Sequence, residues 1–404
     1  MPQDLWTDPY LDSMRHVGDP PADTVIAELF AGGATVVQAV NYLMRDLVEN
    51  DDLPSRALPQ HVRDYFQAGL LPAWADPARL AAGAELFQRF GPLAILLLNA
   101  YSLPLCYAAR RGVQVLARSD RLHSNPRRRI VETAQMVIDV MSPGGLDPDS
   151  RGAGLRSAQK VRLMHATIRH LLGKDPSWDP ALGLPINQED LAGTLGAFAI
   201  AVLDGLARLD VDLRRDEIDA YVHTWNVVGH VMGVRDELLP ANFSEGRALA
   251  DRIAERNFEA CPEGQMMTHA LLGMMAEMVP GSALDGVPAQ FVRHFVGDPV
   301  ADMLGVPAHD AGPLVRAWQV VGRVSDAAND RSRLVRQLAR RFGVHPETIE
   351  QWRAEALGGI REAFAKGARS PKERELEREN RQLRDAVSEG SIREAVLKRE
   401  LEAA

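Results

Sequence analysis

The sequence predicts an all-α protein. Apolar residues recur at three- and four-residue spacing along nine stretches, β-branched runs alternating between glycine turns are almost absent, and proline or glycine marks the gaps. In chain order, Pro20-Pro21 precedes a stretch at 23–49, and further stretches follow at 59–70 and 77–92. Phe90 to Ala109, FGPLAILLLNAYSLPLCYAA, carries no charge and is long enough to span a bilayer. Pro92, Asn99, Ser102 and Pro104 interrupt it, so it is expected to be a buried central helix kinked at Pro104 rather than a membrane span. A helix at 127–141 ends before Pro143-Gly-Gly. Another at 155–173 ends before the Pro176 and Pro180 loop. Asn187-Gln-Glu-Asp caps 188–207, 215–233 follows, Ser244 before Glu245 opens 244–258, and 263–279 closes the series.

A chain of 404 residues, 46% hydrophobic and 25% charged, can bury a sizeable core and is neither disordered nor a multi-span membrane protein. Cys106 and Cys261 are too few for a disulfide framework or a four-cysteine zinc site. MPQDLWTDPYLD has no basic segment followed by an apolar run, which predicts a cytoplasmic protein. The net charge of −9 argues against the whole chain binding nucleic acid. That average hides a division: residues 331–404 hold 17 Lys and Arg against 13 Asp and Glu, so the tail is basic and the body acidic.

The tail has its own rhythm. In RSRLVRQLARRFGVHPETIEQWRAEA (331–356) a first amphipathic helix ends at Phe342, Gly343 makes a turn and Pro346 opens a second helix. Such a helix-turn-helix would place His345, Glu347, Thr348 and Gln351 against bases and Arg336, Arg340 and Arg341 near phosphates. A plain helical hairpin with a solvated basic face fits the same pattern. Over 373–401, Leu376, Asn380, Leu383, Val387, Leu397 and Leu401 make an imperfect heptad seam, suited to a short homodimeric coiled coil or a lone amphipathic helix. The expected domains are therefore 1–328, 329–358 and 359–404. The two tail pieces resemble the small helix-turn-helix protein of insertion-sequence transposons. That resemblance implies an acquired or fused tail and carries no catalytic function.

No phosphate-binding loop, dinucleotide fingerprint, nucleophile elbow or His-Glu-x-x-His motif occurs. Three helices in the body hold the unusual residues. In the first, AQKVRLMHATIRHLLG, Arg162, His165 and Arg169 share a face with Lys160 and His170 nearby. A histidine among cations and apolar neighbours can ligate a metal or a haem iron, or be a core histidine bonded to a carbonyl. In the second, Gly193, Gly196 and Ala197 form a small-residue stripe that admits either a flat ring or another helix. In the third, His223 and His230 lie seven residues, about 10 Å, apart and cannot share one ion. Tyr221 and Trp225 read as core.

Three stretches, KVRLMHATIRHLL, GLPINQEDLAGTLGAFA and DAYVHTWNVVGHVMGVRDELLP, resemble, in order and spacing, the rubber oxygenase and mpaB-type oxygenase superfamily, over about residues 20–310. The resemblance implies a globin-like helical bundle around haem b that uses dioxygen to oxidise or cleave an unsaturated, small apolar substrate. It places Arg162 near the haem, His165 near a distal lysine or mpaB-type histidine position, and His230 at a family histidine. The proximal histidine of the rubber-cleaving members falls at or near Gly196, which offers no ligand. His165 is then the expected iron ligand, with Lys160, His223 and His230 behind it. Rubber-cleaving members are exported, so rubber itself is not the expected substrate. The alternative is a DNA-binding or dimerising protein whose helical body has lost its cofactor.

Overall fold

Capping side chains and prolines set where the helices begin. The structure, a computed structural model, describes residues 6–32, 59–67, 71–123, 126–149, 152–209, 211–277 and 286–308, all within the first of two units, Met1–Glu355. Helix α1 (Asp8–Met14) starts where the Thr7 hydroxyl accepts from the Tyr10 amide, and α2 (Pro20–Ala31) starts at two prolines behind Asp19. The short α3 (Gln60–Gln67) is followed by α4 (Pro77–Leu97), whose first amides at Ala78 and Arg79 donate to Asp76. A π-helical turn (Leu98–Ser102) leads into α5 (Leu103–Ala108), α6 (Arg110–His123) and α7 (Pro126–Val140). Then come α8 (Ala153–Leu172), α9 (Gln188–Arg208), α10 (Arg215–Val231), α11 (Phe243–Asn257), α12 (Pro262–Glu277), α13 (Val287–Val296) and α14 (Asp298–Met303). Among the described residues there is no strand, only an isolated bridge between Ala109 and Phe258.

Several expectations change in detail. The stretch 23–49 is helical from Pro20 to Ala31, and its continuation from residue 33 lies outside the described residues, as do the helix-turn-helix and the 373–401 seam. Helices α1, α6, α13 and α14 had no expected counterpart. Asn242, not Ser244, caps α11: its side-chain oxygen accepts from the Glu245 amide at 3.1 Å, and the Glu245 carboxylate accepts from the Ala241 amide at 2.9 Å. The bend in the uncharged run is also elsewhere. Pro77–Gly91 and Leu93–Ala108 meet at 81°, with Pro92 between them. Pro104 sits in the first turn of α5, after a π turn in which the Leu103 amide reaches back to the Leu98 carbonyl.

The core lies where α10 runs along α4, α9 along α11, and α8 between α2 and α7. Trp225 and Tyr221 of α10 are buried, and Trp225 stacks on Phe198 of α9 at 5.3 Å between ring centroids. Helix α9 is long and apolar enough to cross a membrane, but 61% of its apolar window is buried inside the protein, as befits a central helix. Its small residues explain that fit. A Cβ on Gly193 would stand 3.0 Å from Ile253, one on Gly196 3.6 Å from Ala250, and one on Gly246 of α11 2.4 Å from Ile200. The stripe is the seam along which α9 and α11 approach closely.

Candidate functional site

The three unusual stretches fold as α8, the loop entering α9, and the end of α10 with its following turn, and they converge on the first turn of α2. Arg162 donates from Nε and Nη2 to the two oxygens of Asp19 at 2.6 and 2.7 Å, and from Nη1 to the Val231 carbonyl at 3.2 Å. Two turns further along α8, Arg169 donates to Asp23 at 2.8 Å and to the Ile186 carbonyl at 2.8 Å. Two arginine–aspartate clamps thus fasten α8 to α2, with His165 between them. The Gln188 amide completes the junction. It donates to the Gly18 and Gly233 carbonyls, both at 2.9 Å, and its oxygen accepts from the Arg235 amide at 2.9 Å.

Backbone geometry makes room for the clamps. Gly233 has φ +86°, and a Cβ there would lie 2.3 Å from the Asp19 carboxylate and 2.8 Å from Arg162 Nε. Ile186, a β-branched residue, is held at φ +51°, a conformation that costs free energy and persists where surroundings enforce it. The bond from Arg169 to its carbonyl is one such enforcement. The next residues of the same loop build a second polar centre. Glu189, with no exposed surface, accepts from Arg15 (2.9 Å), Arg256 (2.8 Å) and Asn257 (3.1 Å), tying α1 and α11 to the start of α9.

His165 is half-buried, and its Nδ1 is buried with no hydrogen-bond partner. Burial, and secondarily the Arg169 charge, holds its pKa down at about 4, so the ring is neutral near pH 7. A neutral imidazole with an unpartnered nitrogen is what an axial iron ligand requires, and in this respect the residues fit a haem. Tyr65 of α3 stands beside the clamp, its hydroxyl donating to the Gln159 carbonyl at 3.3 Å. Burial raises its pKa, while the charges of Arg162 and Asp19 act on it in opposite directions.

The other expected residues lie elsewhere or are occupied. Lys160 is buried on α8 and engaged in interactions of its own. Gly193 and Gly196 face α11, and the cavity beside Gly196, lined also by Ala199, Leu249 and Ala250, measures about 10 Å³. That is about room for one water, not for a ring. His223 accepts the Asp76 amide at 2.9 Å through Nε2, and burial, then Arg79, lowers its pKa. His230 pairs through Nδ1 with Asp236 at 2.6 Å. Both histidines meet the exposed Trp74 edge-on at 5.8 and 5.9 Å, so they belong to a separate cluster around that indole. Among the described residues no three His, Cys, Asp or Glu side chains are grouped to hold a metal ion. The DNA-contact candidates His345, Thr348, Gln351, Arg340 and Arg341 lie outside the described residues.

Sequence reasoning missed Asp19, Asp23 and the role of Gln188. The only signal was two acidic residues four apart, to be matched with two arginines seven apart and more than 140 positions away.

Residues 79–327 match the family described as ER-bound oxygenase mpaB/B′ and rubber oxygenase, catalytic domain, and residues 322–388 match a transposase family of helix-turn-helix type. The chain is 31% identical to the rubber oxygenase of Streptomyces sp. (strain K30) over 297 residues, covering 72% of this chain and 71% of that protein. Its fold is similar to that of a latex clearing protein solved in the closed state, with a TM-score of 0.67 and 26% identity over 87% of this chain and 91% of that one. On these grounds, and on the all-helical fold with its three converging stretches, the chain belongs to the mpaB and rubber oxygenase catalytic-domain family.

Proposed function

We propose that residues 1–328 form a haem-b-dependent oxygenase domain that oxidises or cleaves an unsaturated apolar substrate with dioxygen. The observation that carries this reading is His165, a neutral imidazole whose buried Nδ1 has no partner, on the helix the two clamps hold. When bound, the haem supplies the redox chemistry that activates dioxygen. His165 would hold its iron. Arg162 retains two N–H donors after its bonds to Asp19 and Val231, enough to meet an anionic group such as a propionate. Similarity to a rubber oxygenase and a latex clearing protein supports an apolar, unsaturated substrate.

The test is haem content after desalting, read as the pyridine haemochrome of the full-length protein. His165→Ala is expected to lose the haem that the parent retains. Unchanged content in that variant overturns the assignment.

A second reading rests on the transposase match at 322–388, which includes the basic residues Arg340 and Arg341. On this reading the tail, taken as 329–358 and 359–404, binds duplex DNA as a homodimer paired through 373–401. Binding of the full chain is then expected to weaken steeply between 50 and about 200 mM salt, because phosphate contacts release counterions. No binding at low salt removes this reading.

A further inference from the structure

Helix α12 turns an uncharged side to water. From Gly264 to Ala276 its sequence, GQMMTHALLGMMA, holds no Asp, Glu, Lys or Arg, whereas the solvated side of a helix ordinarily carries several. Met267, Leu271 and Met275 are buried on its inner side. Met266, His269, Ala270 and Gly273, at i, i+3, i+4 and i+7, share the outer side and are exposed, Met266 by 54%. A Cβ at Gly273 would meet nothing within 4 Å, so the two small residues leave a shallow trough beside Met266.

The course of the chain points to what fills it. After α14 the Met303 carbonyl accepts from Gln265 Nε2 at 3.1 Å, and a Cβ at Gly305 would lie 3.7 Å from Gln265. The Val306 carbonyl accepts from Arg293 at 2.6 Å. Residues 303–306 are thereby held at the residue that precedes Met266, and the described residues end at Ala308. In the sequence that follows, Leu314, Ala317, Trp318, Val321 and Val324 recur at i, i+3, i+4, i+7 and i+10, with Arg316, Gln319 and Arg323 on the other side. The six steps from Ala308 to Leu314 span up to about 20 Å, and Gly273 lies about 12 Å along α12 from Gln265. The oxygenase-family match runs on to residue 327, so it includes this segment.

We propose that the outer side of α12 is the docking site of the chain's own segment 314–324, with Trp318 seated over Ala270 and Gly273. An indole supplies the apolar area that two small residues leave room for, while Arg316 and Arg323 stay in water. Segment 314–324 is then the last element of the oxygenase-family domain. This inference is independent of the haem reading.

Hydrogen exchange of the full-length protein tests it. The amides of 314–324 are expected to exchange at least about tenfold more slowly than those of a free chain. Ala270→Glu is expected to abolish that protection while α9 keeps its own, because a carboxylate set under an indole loses its water. Ala270 is exposed, so the substitution leaves the core untouched. Free-chain exchange of 314–324 in the parent, or protection that Ala270→Glu does not change, overturns the proposal. Disulfide trapping identifies the occupant. Ala270→Cys with Trp318→Cys is expected to form a bond within one chain on mild oxidation, identified in a tryptic digest, and Ala270→Cys with Arg316→Cys is not. A bond between two chains would show that a second copy covers the face. That result, or equal bonding by both pairs, overturns the proposal.

Discussion

Gly233→Ala is expected to destabilise the protein by about 3–5 kcal/mol and to open the Arg162–Asp19 clamp. Two costs combine. A side chain at φ +86° strains the backbone by about 1–2 kcal/mol. The new methyl group would also sit 2.3 Å from Asp19 Oδ2 and 2.8 Å from Arg162 Nε, so one partner must withdraw. Each charge-assisted bond lost in that withdrawal is worth about 1.5–3 kcal/mol. Gly144 separates the two effects: it has φ +71°, and a Cβ there would meet nothing within 4 Å. Gly144→Ala should therefore cost only the backbone part, about 1–2 kcal/mol. Urea unfolding of both variants checks this, and equal losses would show that the clamp contributes nothing at Gly233.

Glu189→Ala should cost about 3–5 kcal/mol, the range found when one partner of a buried ion pair is removed. Glu189 is wholly buried and serves Arg15, Arg256 and Asn257 together. Of the two arginines, Arg256 keeps Asp8 and Asp12 at the protein surface. Arg15 is 3% exposed and retains Asp190, Asn257 and the Leu182 carbonyl, but loses the fully buried partner of its pair. A double-mutant cycle with Arg15→Ala should show coupling of about 2 kcal/mol or more. Additive losses would mean the pair acts only by filling space. Because α1 is tied through Arg15 to Glu189 and through Asp8 and Asp12 to Arg256, the same variants are expected to expose α1 to proteolysis first.

Periodicity located the helices at 77–92, 127–141, 155–173, 188–207 and 215–233 because each buries an apolar stripe, and a stripe is written locally. Asn187 was readable as a cap for a like reason: its oxygen reaches only to Asp190, three residues on. Short helices escaped. The six residues of α14 hold too few turns to show a period. The stripe at Gly193 and Gly196 was legible as a place of close approach. What approaches, Ile253 and Ala250, was not, since either a ring or a helix satisfies the same spacing.

The sequence by itself determined the helical class, the helices that carry the unusual residues, and the sharing of one α8 face by Arg162, His165 and Arg169. All of these follow from a 3.6-residue repeat acting over a few turns. Only the tertiary structure decided which of those residues are occupied. It gave Arg162 to Asp19 and Arg169 to Asp23, set His223 and His230 around Trp74, and left His165 Nδ1 without a partner. The physical reason is that the reactivity of a buried polar group depends on which donors and acceptors packing brings within about 3 Å of it. Those partners come from segments far away in the chain, and no local pattern specifies them.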